Sequence, residues 1–145
     1  EKAFGRLHLD TTARDGVDWI LRHAEAVKAP DPCPDLAYEA RVLAEDGGWA
    51  NVYRLVDYEL AVWRALGRDG PDPQSASLIA GIVLAGERLP GSLALSGSDV
   101  MRITGAKGPL VGEALSFLRE LVLRDPEANS RGLLEDAIRE WWDKR

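Results

Sequence analysis

The sequence predicts an all-α protein, a bundle of about seven helices. Apolar residues recur every three or four positions along most of the chain, which is the spacing of one helix face. Sustained alternation of apolar and polar residues is absent, and no Asn-Gly or Asp-Gly turn joins two β-branched runs, so strands are not expected. The predicted helices occupy residues 11–30, 34–48, 49–67, 74–89, 98–104, 109–124 and 129–145.

Glycine and proline mark the ends of these helices. Pro30 ends the first, Gly47 and Gly48 end the second, and Gly67 ends the third. The segment 74–89 is apolar nearly all round, so we expect it to be the most buried helix. The break at "PGSLALSG" then divides the chain into two helical subdomains, residues 1–90 and residues 91–145.

The second subdomain begins with a short helix and a turn. We expect Ser98 or Asp99 to cap helix 98–104 and Gly105 to end it. Pro109 opens the following helix at its first position, where the missing N–H does no harm.

Composition narrows the functional classes. The chain has 145 residues, of which 46% are hydrophobic and 29% charged, as in ordinary globular proteins. No apolar run approaches the roughly 20 residues that span a bilayer. The single cysteine, Cys33, cannot form an internal disulfide, which fits a cytoplasmic protein, and one Cys with two His is too few for structural zinc. Because the chain starts at Glu1 rather than Met, we expect it to be part of a longer protein.

The net charge of −6 counts against a general nucleic-acid binder, which presents a basic face. It leaves room for a small local phosphate site. Most of the acidic residues lie in the first two-thirds of the chain. Basic residues of the last third include Arg102, Lys107, Arg119, Arg124, Arg131 and Arg139.

The segment "ITGAKGPLVGEAL", residues 103–115, places three glycines and a proline between two helical runs. Backbone amides in the first turn of a helix have no intrahelical acceptor and lie at the positive end of the helix dipole, which favours anions. We therefore predict that the amides of Leu110, Val111 and Gly112 bind an RNA phosphate. The simpler interpretation is that the glycines only permit a tight turn and close helix packing.

Further candidates surround this turn. Gly108 lacks a side chain and lets a phosphate approach the backbone, and Lys107 adds a positive charge. Arg102, on the helix before the turn, and Arg131, near the start of the last helix, are weaker candidates for RNA contact. We assign Ser98, Asp99, Gly105 and Pro109 to the structure of the turn.

The same segment resembles a known family. "LALSGSDVMRITGAKGPLVGEALSFLRELVLRDPEANSRGLLEDAI" is similar to the C-terminal body and tail of bacterial-type class II tRNA nucleotidyltransferases, the CCA-adding enzymes, and their poly(A) polymerase relatives. "RLHLDTTARDGVDWILRHAEAV", upstream, resembles the start of the body in that family. The residues that carry the first resemblance are Ser96, Gly97, Asp99, Gly105, Gly108, Pro109, Gly112 and Asn129.

The resemblance implies a fold like the C-terminal region of poly(A) polymerase and a tRNA-binding role. The family's catalytic head carries an Asp-x-Asp that holds Mg²⁺ for nucleotidyl transfer, and this chain has no Asp-x-Asp. We therefore expect no catalytic residue and no cofactor here, with Mg²⁺ in a head on the same or a companion chain. The residues that select CCA, CC, A or poly(A) addition lie in the missing neck and head. The expected partners are tRNA or another structured RNA and that head, without a membrane.

Two other functional classes remain open. A helix-hairpin-helix module that binds DNA would use the same turn, although such modules carry more basic surface. A helical scaffold that binds only protein is also compatible with the acidic composition. Trp141 and Trp142 are adjacent, so one of them must face away from the core, which suits such a scaffold.

Overall fold

The computed structural model describes residues 11–26, 35–69 and 72–145, and within these ranges the chain is all-helical, as predicted. The predicted end of the first helix at Pro30 lies outside the described residues, and so does Cys33. The elements are α1 (Thr11–Ala26), α2 (Leu36–Gly47), α3 (Trp49–Ala65), α4 (Pro73–Ala85), α5 (Gly97–Thr104), α6 (Pro109–Arg124), a 3₁₀ helix (Pro126–Ala128) and α7 (Arg131–Asp143). No helix among them is both long and apolar enough to cross a membrane.

The described residues fall into two compact units, which divide between Glu87 and Arg88. The first contains α1 to α4 and the second contains α5 to α7. Each has its own hydrophobic core. Buried residues of the first core are Trp19, Ala24, Ala44, Val52, Leu55, Val56, Leu78 and Ile82. Those of the second are Leu95, Val100, Ala114, Leu118, Val122, Leu134 and Ile138.

Two glycines allow the first unit to pack closely. A Cβ built on Gly47 would lie 2.2 Å from the indole of Trp19, and one built on Gly81 would lie 2.4 Å from the backbone oxygen of Leu36. Gly81 therefore lets α4 approach the start of α2. Asp72 caps the N-terminus of α4. Its buried carboxylate accepts hydrogen bonds from the backbone N–H and from the hydroxyl of Ser75.

The second unit is built around α6. Its buried face, Ala114, Leu118 and Val122, packs with Val100 of α5 and Ile138 of α7 in one core. A helix that contributes this many fully buried side chains cannot rotate without opening cavities in the unit. The orientation of α6, and hence of its N-terminus, is fixed by this packing.

We predict that Gly81→Ala destabilises the first unit by about 1–3 kcal/mol, because the new methyl group has no space against a backbone oxygen. Gly16→Ala is the matched control within a helix of the same unit. A Cβ at position 16 would make ordinary 3.5 Å contacts with Arg54 and Asn51. Because alanine has a higher helix propensity than glycine, the free energy of unfolding should stay the same or rise. Urea denaturation followed by circular dichroism measures both. Equal stability of the two variants would contradict the close approach of α4 to α2.

Candidate phosphate-binding site

The turn between α5 and α6 is fixed by two glycines. Gly105 follows α5 with φ of 73° and donates its N–H to the oxygen of Met101 at 2.9 Å. Gly108 precedes α6 with φ of 57°. Between them Ala106 is only 2% exposed, and its N–H donates to the hydroxyl of Thr104 at 3.1 Å. Because side chains other than hydrogen disfavour positive φ, the turn requires glycine at both positions.

The N-terminus of α6 is open, but the amides that it offers differ from those that the sequence predicts. Its N-cap, Gly108, provides no side-chain cap, and Pro109 has no N–H. The N–H of Val111 donates to the oxygen of Gly108 at 3.2 Å, so the prediction of a free Val111 amide is wrong. In the described residues, the N–H groups of Gly108, Leu110 and Gly112 have no protein acceptor.

Solvent reaches this N-terminus directly. Gly108, Pro109 and Gly112 are exposed, and a Cβ built on Gly108 or Gly112 would meet nothing within 4 Å. The tight-turn interpretation explains Gly105 and Gly108, because both have positive φ. It does not explain Gly112, which has helical φ and no neighbour that requires its small size.

The three predicted cations differ in how they are held. Lys107 is exposed and makes no ion pair within the described ranges. The Arg102 side chain is 62% exposed. Its guanidinium lies 3.5 Å from the Asp99 carboxylate and 3.7 Å from the Glu135 carboxylate, which are long ion pairs. Arg131 is bound to both, with a short bond to Asp99 and 3.1 Å to Glu135. Lys107 is therefore the available cation, and Arg131 joins α7 to α5.

The start of α5 differs from the prediction. The N-cap is Ser96, not Ser98. The hydroxyl of Ser96 accepts the N–H of Asp99 at 3.2 Å, and the Asp99 carboxylate accepts the N–H of Ser96 at 3.0 Å, which forms a capping box. The Ser96 hydroxyl also donates to the Asp99 carboxylate at 2.7 Å. This bond, the N–H of Ser96 and the guanidinium of Arg131 together hold the pKa of Asp99 well below its usual range. The spacing of Ser96 and Asp99 satisfies the capping-box rule, and Ser98 lies inside the helix.

Two side chains that the sequence did not single out for contacts hold the segment before α5. Asn129 accepts the N–H of Ala94 at 2.9 Å and donates to the oxygen of Ser92 at 3.0 Å. Arg119, on α6, donates to the oxygen of Gly91 at 2.7 Å. The last helix was expected to start near Asn129 or Ser130, and Ser130 is its N-cap. The contacts of Asn129 with residues 35 and 37 positions away have no local sequence signal.

The tryptophan pair near the chain end is only partly available. Trp141 packs against the second core and stacks on Phe117, with ring centroids 5.4 Å apart. Trp142 is half-buried. Neither ring is strongly exposed, so neither indicates a base-stacking surface.

Charge is distributed unevenly between the two units. Residues 1–87 contain nine Lys and Arg against fifteen Asp and Glu, which gives the whole net charge of −6. Residues 88–145 contain nine of each and are neutral. The overall net charge suggests that an anionic ligand would be repelled. Because the excess acidic residues lie in the first unit, that repulsion originates there.

Comparison of the chain with protein-family models, with curated proteins and with solved structures finds no match in any of the three. The family resemblance therefore rests on the motif residues alone and stays a prediction.

We predict that Ser96→Ala destabilises the second unit by about 1 kcal/mol, because it removes the N-cap of α5 and one side of the capping box. Ser98→Ala is the control, and it should change stability by less than about 0.5 kcal/mol. Thermal or urea denaturation of the two variants measures the difference. If Ser98→Ala were the more damaging change, the assignment of Ser96 as the cap would be wrong.

Proposed function

We propose that this chain is the RNA-binding C-terminal part of a tRNA nucleotidyltransferase or poly(A) polymerase-like protein. In this proposal the fold is like the C-terminal region of poly(A) polymerase, and the turn between α5 and α6 is a helix-turn-helix phosphate-binding turn. It holds the backbone of the tRNA acceptor and T-arm region. Addition of 3′-terminal nucleotides, and the Mg²⁺ that it uses, belong to a head outside this chain.

The observation that carries the proposal is the open N-terminus of α6 with Gly112 beside it. Three N–H groups there have no acceptor in the described part of the chain, and Gly112 has no conformational or packing reason to be glycine. A residue that is small for no internal reason is explained when something external approaches the backbone. An anion is the occupant that helix N-termini favour, because the unpaired N–H groups and the helix dipole both attract it.

The electrostatics favour a limited contact. Lys107 supplies one unpaired positive charge, and the second unit carries no excess acid. A grip on phosphates positions a nucleic acid without reading bases, which suits recognition of tRNA by shape. Because few phosphates would be neutralised, the affinity for RNA should be modest. The slope of log K against log salt concentration should be shallow, with about 0.9 for each phosphate contact on a duplex.

The DNA-binding alternative has less support. It would use the same turn, but the described surface of the second unit pairs most of its arginines with carboxylates, including Arg131 and Arg139. A basic face of the kind that duplex DNA requires is not formed there.

We predict that Gly112→Asp weakens binding of a tRNA transcript about tenfold, equivalent to about 1.4 kcal/mol, because it places a negative charge at the phosphate site. The site has space for the side chain, so the fold should be retained. Gly112→Asn, which has the same shape without the charge, is the matched control. It should weaken binding less than Gly112→Asp, because it crowds the site without repelling the phosphate. Lys107→Ala should lower the slope of log K against log salt by about one. Fluorescence anisotropy with labelled tRNA measures all four proteins.

Three outcomes would contradict the proposal. Equal binding by the Asp and Asn variants would show that no anion lies at this N-terminus. Tighter binding of duplex DNA than of tRNA would favour the helix-hairpin-helix alternative. Binding of neither nucleic acid would favour the protein scaffold.

A further inference from the structure

The outer face of α4 in the first unit carries strongly exposed apolar side chains. Ile79, Val83 and Leu84 are 46%, 72% and 65% exposed, and no charged residue occurs from Pro73 to Ala85. The opposite face of α4, which includes Leu78 and Ile82, packs in the first core. That core therefore does not cover the apolar side chains of the outer face. Grouped apolar side chains on a surface mark interaction sites, since covering them removes apolar area from water.

A strained residue lies at the end of this face. Glu87 has φ of 55° and is the one non-glycine residue with positive φ among those the structure describes. Its carboxylate accepts a hydrogen bond from the hydroxyl of Tyr53 on α3. Strained backbone persists where surrounding contacts hold it, and it clusters at functional sites. Glu87 thus presents an exposed carboxylate, held by Tyr53, three and four positions along the chain from Leu84 and Val83.

The electrostatics of this end are negative. The last turn of α4 contains no basic residue, so no side chain of the helix offsets the negative end of its dipole. The Glu87 carboxylate adds to it, and the first unit as a whole carries the net charge of −6. Arg88, the next residue, makes no ion pair with Glu87 in the described ranges. A cationic group of a partner would meet attraction at this position.

We propose that the C-terminal half of α4 is a docking surface for a basic amphipathic helix of another protein. Apolar side chains of that helix would cover Val83 and Leu84, and a Lys or Arg one turn away would pair with Glu87. This is the recognition of an amphipathic helix by an apolar surface, with charge setting its orientation. A second copy of this chain is a poorer occupant, because it would bring two acidic units and two Glu87 carboxylates together.

The test uses a fluorescein-labelled synthetic helix with leucines on one face and lysines on the other, and fluorescence anisotropy with the full chain. We expect saturable one-to-one binding, and no binding of the same peptide with glutamate in place of lysine. Val83→Asp is the deciding variant because it removes the apolar contact and adds an acid. Docking on α4 predicts at least tenfold weaker binding, whereas general attraction to an acidic protein predicts tighter binding.

Two further variants separate contact from charge. Leu133→Asp makes the same type of change at a residue of α7 that is 56% exposed, and it should leave peptide binding unchanged. Glu87→Gln should weaken binding several-fold, with the loss largest at low salt. Unchanged or tighter binding by Val83→Asp, or an equal loss in Leu133→Asp, would overturn the proposal. So would sedimentation showing a dimer of the original chain that Val83→Asp dissociates, since the occupant would then be a second copy.

Discussion

The start of α6 determines what the second unit can bind, and three residues fix where that start lies. Gly105 and Gly108 reverse the chain through positive φ angles of 73° and 57°. Ala106 between them is buried, which anchors the turn to the unit. Ser, Thr, Asp and Asn are the residues whose side chains would cap α6. The positive φ of Gly108 would strain any of them at this position. The same geometry that shapes the turn therefore leaves the first amides of α6 uncapped.

The opposite face of α6 makes that open end rigid. Ala114, Leu118 and Val122 are fully buried, so the amides of the first turn are held in place before any ligand arrives. A preformed group of donors loses little conformational entropy on binding, which is how a small site gains affinity. Solvent satisfies these N–H groups in the free protein, so leaving them unpaired carries no burial penalty. The site is thus a consequence of core packing on one side and glycine geometry on the other.

Positive charge at the surface of the second unit is mostly committed to structure. Arg131 and Arg102 share Asp99 and Glu135, and Arg139 lies 3.2 Å from Glu135. Exposed pairs of this kind contribute little stability singly, but here they connect α5 to α7 through two carboxylates. Lys107 stands apart from the network, which leaves it available to a ligand.

Helices and their apolar faces follow from local spacing, and the sequence predicts them well; Leu118 and Val122 on the buried face of α6 are an example. Gly105 and Pro109 mark ends that the structure also has, because helix ends obey local rules. Ser98 was the wrong cap because the predicted start of α5 was one residue late, and the N-cap is Ser96. The roles of Arg131 and Asn129 depend on partners more than thirty residues away, and local patterns carry no information about such contacts. The bond from Val111 to Gly108 depends on the backbone angles of the turn, which composition alone does not set.

Amide chemical shifts of the ¹⁵N-labelled protein, followed during titration with a short A-form RNA duplex, test the central claim most directly. The exposed N-terminus of α7, where Gly132 also has open space around it and Ser130 makes no side-chain cap, is an internal control within the same unit. The open end of α6, which has the unpaired Lys107 beside it, predicts saturable shifts of the Gly108, Leu110 and Gly112 amides. Gly132 should change little, because the neighbouring Arg131 is already paired with Asp99 and Glu135. Unshifted Gly108 and Leu110 resonances at saturating RNA, or equal shifts at Gly132, would contradict a phosphate site at the start of α6.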